Sequence, residues 1–377
     1  MAGYIIIILA AAVLIGVYAY CLFRRIMKFY GLDMQRRISK IVNILLAVLT
    51  AGICCNMRQT LAIAVLHVLV LSMVLDLIAL AGRKLFGKKE KNHFAKLCRT
   101  LYGCGLIPVL IMAVLFAYGY VNMKHPIKTE YTVKTEKNVG DYTIALITDT
   151  HYATIQDTEL LKEKIEEING LKPDLVVLGG DIVEEGTTKE KMEEVFRRLG
   201  GLEAKYGIYY VYGNHDRQPY TSDPAYTGEE LANAITENGI TILEDTYVEI
   251  NDDLVLAGRG DAGWGNSSGR VSSEELLNGV DREKYIIVAD HQPIEAKEND
   301  AQGVDLELSG HTHAGQIWPV GCFTELTGGL NYGEYLIGNC RTIVSSGFTG
   351  WGYPIRTQGH CEYVMIQLLP MGIIKGV

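Results

Sequence analysis

Tyr142-Thr143-Ile144-Ala145-Leu146-Ile147-Thr148-Asp149-Thr150-His151 is an apolar run that stops abruptly on an acid and a histidine. A run of this length, rich in β-branched residues, predicts a strand over 142–148 that delivers Asp149 and His151 at its carboxyl end. The same event recurs four times downstream. An apolar run over 174–178 ends in Gly179-Gly180-Asp181, and one over 208–212 ends in Gly213-Asn214-His215-Asp216. Runs over 285–289 and 304–308 end in Asp290-His291 and in Ser309-Gly310-His311-Thr312-His313. Sheets built with helical crossovers place ligands beyond the carboxyl ends of their strands, so five such endings predict one site made of five loops.

Further strands are expected at 254–257, 342–344 and 362–368. Helices are expected from Asp157 or Thr158 to about 169, from Thr187 or Thr188 to about 199, and from Ser272 or Ser273 to about 278, each opening on a capping side chain. Alternating strands and helices followed by strand-rich sequence predict an α/β domain with two packed β-sheets flanked by helices, over residues 141–370.

Upstream the composition changes sharply. Apolar stretches near 4–23, 41–57, 61–81 and 101–121 are about long enough to span a bilayer, which takes roughly 20 residues. They predict an all-α transmembrane bundle of about four helices over 1–121, joined to the domain by a polar connector at 122–140. No basic residue precedes the first stretch, which argues against a cleaved signal peptide. The mean hydropathy of +0.12 therefore averages two unlike parts.

Charge follows the same division. Residues 1–123 carry 14 Lys and Arg against Asp33, Asp76 and Glu90, leaving 21 basic and 41 acidic residues for the remainder. An acidic domain argues against nucleic acid as a partner, because phosphate-backbone binding needs a basic surface. Arg24, Arg25, Lys28, Arg36, Arg37 and Lys40 follow the first span, and Arg83, Lys84, Lys88, Lys89, Lys91, Lys96 and Arg99 follow the third; the link between spans two and three carries Arg58 alone. Basic loops stay in the cytoplasm, so a multi-pass protein with its domain outside the cytoplasm is expected. Within the third span His67 and Asp76 face opposite sides, and Asp76 is expected to pair with Arg83 near the inner boundary. Eight cysteines without metal-like spacing are read as free thiols, buried by default at Cys322, Cys340 and Cys361, with Cys98 in a basic loop.

Asp and His side chains in one cluster suit Mn, Fe, Zn or Mg rather than soft metals. The glycines before Asp181, Asn214 and His311 let the backbone approach closely. Five of the nine histidines fall in the strand-end motifs, leaving His125 and His360 as the domain's others.

The ordered set Asp-x-His, Gly-Gly-Asp, Gly-Asn-His-Asp, His and Gly-His-Thr-His resembles the calcineurin-like metallophosphoesterase superfamily. Its extension Gly310-His311-Thr312-His313-Ala314-Gly315-Gln316-Ile317-Trp318-Pro319 is similar to a branch of secreted or membrane-bound bacterial phosphodiesterases. The resemblance implies a binuclear centre of two divalent metal ions. It implies Asp149, His151, Asp181 and His313 as ligands of one ion and the bridging Asp181 with Asn214, His291 and His311 as ligands of the other. It also implies a catalytic His215 oriented by Asp216. That branch has an acidic pair where this chain has Gly258-Arg259-Gly260-Asp261, so no role passes to that loop. Two ions against the two carboxylates leave a positive balance that attracts phosphate even in an acidic domain.

The expectation is a metal-dependent phosphoric ester hydrolase acting on a phosphomonoester or phosphodiester, with a lipid or envelope-linked substrate at the outer membrane face. Alternatives are a cytosolic-facing nucleotide or nucleotide-sugar phosphohydrolase, a metal-binding pseudoenzyme sensor, and a transporter, for which the spans carry few polar groups. Trp264, Trp318, Trp351 and Tyr353 are candidates to line the cleft.

Overall fold

The computed structural model describes residues 2–57, 59–86, 97, 100–156, 158–263 and 269–371. Arg58, Lys88, Lys89, Lys91, Lys96, Cys98, Arg99, Asp157 and Trp264, and the side chains of Arg83 and Lys84, lie outside that description. The chain divides into two units, one up to Tyr118 and one from Gly119 on.

The first unit holds α1 (Ala2–Phe29), α2 (Arg37–Cys55), α3 (Thr60–Phe86) and most of α4 (Leu106–Met123). All four are long and apolar enough to cross a membrane. Ala19, Leu22, Ala47, Cys54 and Leu69 are buried between helices, whereas Leu9, Val13, Leu14, Leu45 and Val48 point outward. An apolar exterior suits lipid rather than water. Asp76 bonds Arg25 and Tyr102 and accepts from Tyr18 at 2.9 Å, so among the described side chains its cationic partner is Arg25 of α1; the expected partner, Arg83, has its side chain outside the description. His67 Nδ1 donates to the Ile63 carbonyl one turn back, at 2.8 Å.

The second unit is built on two six-stranded sheets. The first has the order β1 (Ile127–Thr135), β12 (Glu362–Pro370), β2 (Tyr142–Ile147), β3 (Leu175–Leu178), β4 (Ile208–Tyr210), β5 (Ile240–Ile242). The second has the order β10 (Gly333–Ile337), β11 (Cys340–Val344), β9 (Leu306–Ser309), β8 (Tyr285–Ala289), β7 (Leu254–Gly258), β6 (Thr246–Glu249). Strands β2 to β5 run parallel, as do β7, β8, β9 and β11; antiparallel partners β12, β10 and β6 make both sheets mixed.

Side chains alternate across a strand, and here both faces are apolar because both are covered. Ile144 and Leu146 of β2 turn inward with Val177, Leu256, Ile287, Leu308 and Ile343 to form the core between the sheets. Ala145 and Ile147 turn outward under α5 (Thr158–Gly170), α6 (Lys189–Leu199) and α7 (Gly228–Thr236), meeting Leu161, Phe196 and Ile235. Val255, Ile286 and Val288 cover the far face of the second sheet with Leu276 of α8 (Ser273–Leu276). Two short helices, α9 (Ala296–Ala301) and α10 (Val320–Leu326), complete the unit.

The caps expected from sequence close α6 and α8, where Thr188 and Ser272 accept from Lys191 N and Glu275 N. The expected connector is the main departure. Residues 127–135 form β1, paired in parallel with β12, and Met123 is buried within the second unit. The described cysteines are free; Cys340 and Cys361 are buried as expected, but Cys322 is exposed.

Candidate metal centre

The strand ends converge. β2 delivers Asp149 and His151, β3 delivers Asp181, the loop after β4 delivers Asn214 and His215, β8 delivers His291, and β9 delivers His311 and His313. Ligating atoms of Asp149, His151 and His313 lie within 4.8 Å of one another, and those of Asp181, His291 and His311 do so separately. Asp181 Oδ2 stands 3.1 Å from His291 Nε2 and 3.9 Å from His151 Nε2, between the two groups.

The backbone is bent to make this possible. Asp149, His151, Asp181, His311 and His313 all have φ between 38° and 70°, a region non-glycine residues rarely adopt and that costs about 1–3 kcal/mol each. Close approach also demands glycine at two points. A Cβ on Gly213 would overlap the Asp181 carboxylate, and one on Gly310 the side chains of Thr148 and Asp149.

The donors suit cations. His151 Nε2 and His313 Nε2 face each other at 3.3 Å, and His313 Nδ1 donates to the Thr349 carbonyl at 3.1 Å, which leaves its Nε2 as a bare lone pair. His291 Nδ1 likewise donates to the Gly179 carbonyl at 2.8 Å, which turns its Nε2 toward the Asp181 carboxylate, 3.1 Å away. Asn214 Oδ1 and His311 Nδ1 are buried without a hydrogen bond. Burial pushes His311 down to about 4 and His313 well below the ordinary histidine range, so both rings are neutral. Buried acceptors left open around two carboxylates are costly unless a cation satisfies them.

Asp216 does something other than expected. Its carboxylate accepts from the backbone N–H groups of Asp181 (2.9 Å), Ile182 (2.9 Å), Val183 (3.1 Å) and Gly213 (2.6 Å), which clamps the β3 and β4 loops together. His215 is oriented by Glu185 instead, Nδ1 to Oε2 at 2.7 Å. Burial opposes the charge on His215, but Glu185 and Asp181 outweigh it and hold its pKa above the usual value. Tyr220 and Trp351 flank the imidazole, each with ring centroid 5.2 Å away.

Other contributors were not read from the sequence. Glu184 Oε2 lies 3.3 Å from His151 Nδ1 and fixes that ring from behind. Arg356, fully buried, donates to the carbonyls of Thr349 (2.7 Å), Ser346 (2.8 Å), His360 (2.8 Å) and His313 (3.0 Å). Spacing offers one signal: Glu184 and Glu185 follow Asp181 in the same β3 loop, after Ile182 and Val183. Arg259 carries no site role; it is buried against Glu295 and Asp290 and donates to Ser273 at 2.7 Å. Of the candidate cleft aromatics Trp351 lies at the site, while Trp318 donates its backbone N–H to Thr357 Oγ1 at 3.0 Å.

A family model described as calcineurin-like phosphoesterase matches residues 142–315. An uncharacterized metallophosphoesterase of Helicobacter pylori strain J99 is 29% identical over 255 residues, covering 67% of this chain and 66% of the relative. The metallophosphoesterase YkuE of Bacillus subtilis is 30% identical over 238 residues, 59% of this chain and 79% of the relative. A "transmembrane protein with metallophosphoesterase domain" of Danio rerio is 29% identical over 284 residues, 70% of this chain and 62% of the relative. Among solved structures, a dimetal phosphatase from Danio rerio aligns with a TM-score of 0.34 at 12% identity, over 60% of this chain and 98% of that one.

Proposed function

The chain belongs to the calcineurin-like metallophosphoesterases, a family of metal-dependent phosphoric ester hydrolases, and we propose that it hydrolyses a phosphomonoester or phosphodiester with two divalent ions at the outer face of a membrane. The observation that carries this reading is Asp181 standing between two His- and Asp-bearing groups, with His215 beside them and outside both. Asp149, His151, Asp181 and His313 hold one ion; Asp181, Asn214, His291 and His311 hold the other. Divalent ions in such a site polarise phosphoryl oxygens and lower the pKa of water. Neutral Asn214 in place of a third carboxylate keeps the site electropositive for phosphate.

His215 is surplus to both donor sets. With its pKa raised by Glu185 and Asp181 it is positioned to hold a proton at Nε2 and give it to the departing ester oxygen. Tyr220 and Trp351 are 48% and 45% exposed, so the walls beside His215 are open to substrate.

Four apolar helices place the protein in a membrane. Basic loops after the first and third spans favour a multi-pass arrangement with the residues after the fourth outside the cytoplasm. A lipid or envelope-linked phosphate ester is then the substrate the location favours, because tethering raises effective concentration at the surface alone.

The full chain, purified in detergent and supplied separately with Mn, Fe, Zn and Mg, should cleave chromogenic phosphate esters with at least one metal, and Asp181→Ala should not. No hydrolysis with any metal would exclude the enzymatic reading. Protease added to intact cells should cut the domain; full survival would reverse the orientation.

A further inference from the structure

Helix α10 begins seven residues after His313 and puts its apolar side chains on the outside. Val320, Phe323 and Leu326, at i, i+3 and i+6, are 49%, 63% and 81% exposed, and Gly321 is the helix's buried residue. Spacing by three keeps them on one face. A helix turned this way contributes little to the core, and contiguous exposed apolar surface marks an interaction site.

The patch is anchored. Gly321 N donates to Gln358 Oε1 at 3.1 Å, and a Cβ there would overlap Gln358 and Asn331. Gln358 lies two residues from Arg356, whose backbone N–H donates to the Gly119 carbonyl at 3.0 Å and whose own carbonyl accepts from Asn122 at 3.1 Å. Gly119–Met123 is the last turn of a helix apolar enough to cross a bilayer, and its Tyr120 and Val121 are 50% and 56% exposed. Met123 Sδ in turn accepts from Gly350 N at 3.1 Å, next to the exposed Trp351. Gly321, set among the outward apolar residues, is thus joined within the second unit, through Gln358 and Arg356, to Gly119 and Asn122 on the last turn of that apolar helix.

We propose that α10 and Trp351 form an interfacial surface that sinks into the headgroup layer of a phospholipid bilayer and brings the His215 side of the metal centre to the phosphate esters of lipids. The docking rests on the membrane reading above, and its catalytic consequence rests on the phosphoesterase reading. The chemistry selects lipid by apolar burial rather than charge. Residues 314–340 contain no Lys or Arg, while Trp and Phe are the side chains that favour the membrane–water boundary. Docking is therefore expected on zwitterionic lipid and is insensitive to salt.

The test uses the full chain in phosphatidylcholine vesicles. Phe323→Trp should show fluorescence quenched by bromine-labelled acyl chains beyond the wild-type level, unchanged in 1 M salt; quenching equal to wild type would overturn the proposal. Phe323→Glu with Leu326→Glu should cleave a soluble chromogenic phosphate ester at the wild-type rate and a vesicle-borne phospholipid at least tenfold more slowly. Equal slowing on both, or loss of a detergent-solubilised dimer in the double variant without any quenching of Phe323→Trp, would count against lipid docking and assign the face to the site's own geometry or to a second copy. Quenching needs no turnover, so a quenched Phe323→Trp chain that hydrolyses neither ester would leave docking standing and remove the phosphoesterase reading.

Discussion

His215 Nδ1 is 2.7 Å from Glu185 Oε2, while Asp216, its neighbour in sequence, turns to the backbone of the β3 loop. The acid that orients the imidazole therefore comes from 30 residues upstream. His215→Ala should retain its metals and lose turnover by about 10²–10⁴, most for esters with poor leaving groups. Glu185→Gln should lose about 10–100-fold in the same pattern, as partners that orient a functional side chain do. A metal-free His215→Ala protein would make His215 a ligand and end its assignment as proton donor.

Asp216 is predicted to be a structural residue. Its four backbone donors are buried, and leaving several of them unpaired costs about 1–3 kcal/mol each. Asp216→Ala should lower the thermal midpoint of the metal-loaded chain strongly, by the equivalent of about 4 kcal/mol, and loosen both metals together. A variant that melts like wild type yet fails in turnover would return Asp216 to the chemistry.

Metal stoichiometry separates the two donor groups. The purified chain should retain two equivalents, Asp181→Ala should lose both, and Asp149→Ala should lose one. Arg356 acts on one side alone: its Nη2 donates to the Thr349 carbonyl that also receives the proton of His313 Nδ1. Arg356→Met should weaken the ion held by His313 about 10–100-fold and spare the one held by His291. Equal weakening of both would make Arg356 a packing residue.

What the sequence makes legible depends on how local the cause is. The five strand endings are legible because one short segment holds both the apolar run and the polar stop, as in Ile144 to His151. β1 is not, because Ile127–Thr135 is studded with Lys, Thr and Glu and buries Val133 alone; it is a strand through its pairing with β12, over 200 residues away. α7 carried a readable capping box, Thr227 with Glu230, in front of a weak first residue, Gly228. α10 has no inward apolar stripe to detect, since its apolar face points out. The pairing of Glu185 with His215 and the burial of Met123 are products of tertiary packing, which no local pattern encodes.

Glu307, fully buried on β9, makes stability fall as pH rises. Its carboxyl group meets Asn299 Nδ2 at 3.1 Å and the hydroxyls of Ser309 and Thr342 at 3.4 Å each, with no cation among these partners. Burial, helped by the charge of Asp290, pushes it up to about 7 from an ordinary 4.5, against the pull of those three donors. A folded-state pKa above the unfolded one means the protonated form is the one the fold favours. Its stabilising effect is complete below pH 4.5, erodes as pH climbs through 7, and is gone above that. At about 1.4 kcal/mol per unit the erosion amounts to about 3 kcal/mol. Glu307→Gln keeps the shape and cannot ionise. Its thermal midpoint relative to wild type should therefore rise between pH 5 and pH 8 and level off beyond. A difference that stays flat, or that shrinks as pH rises, would show that Glu307 is ionised in the fold across this range.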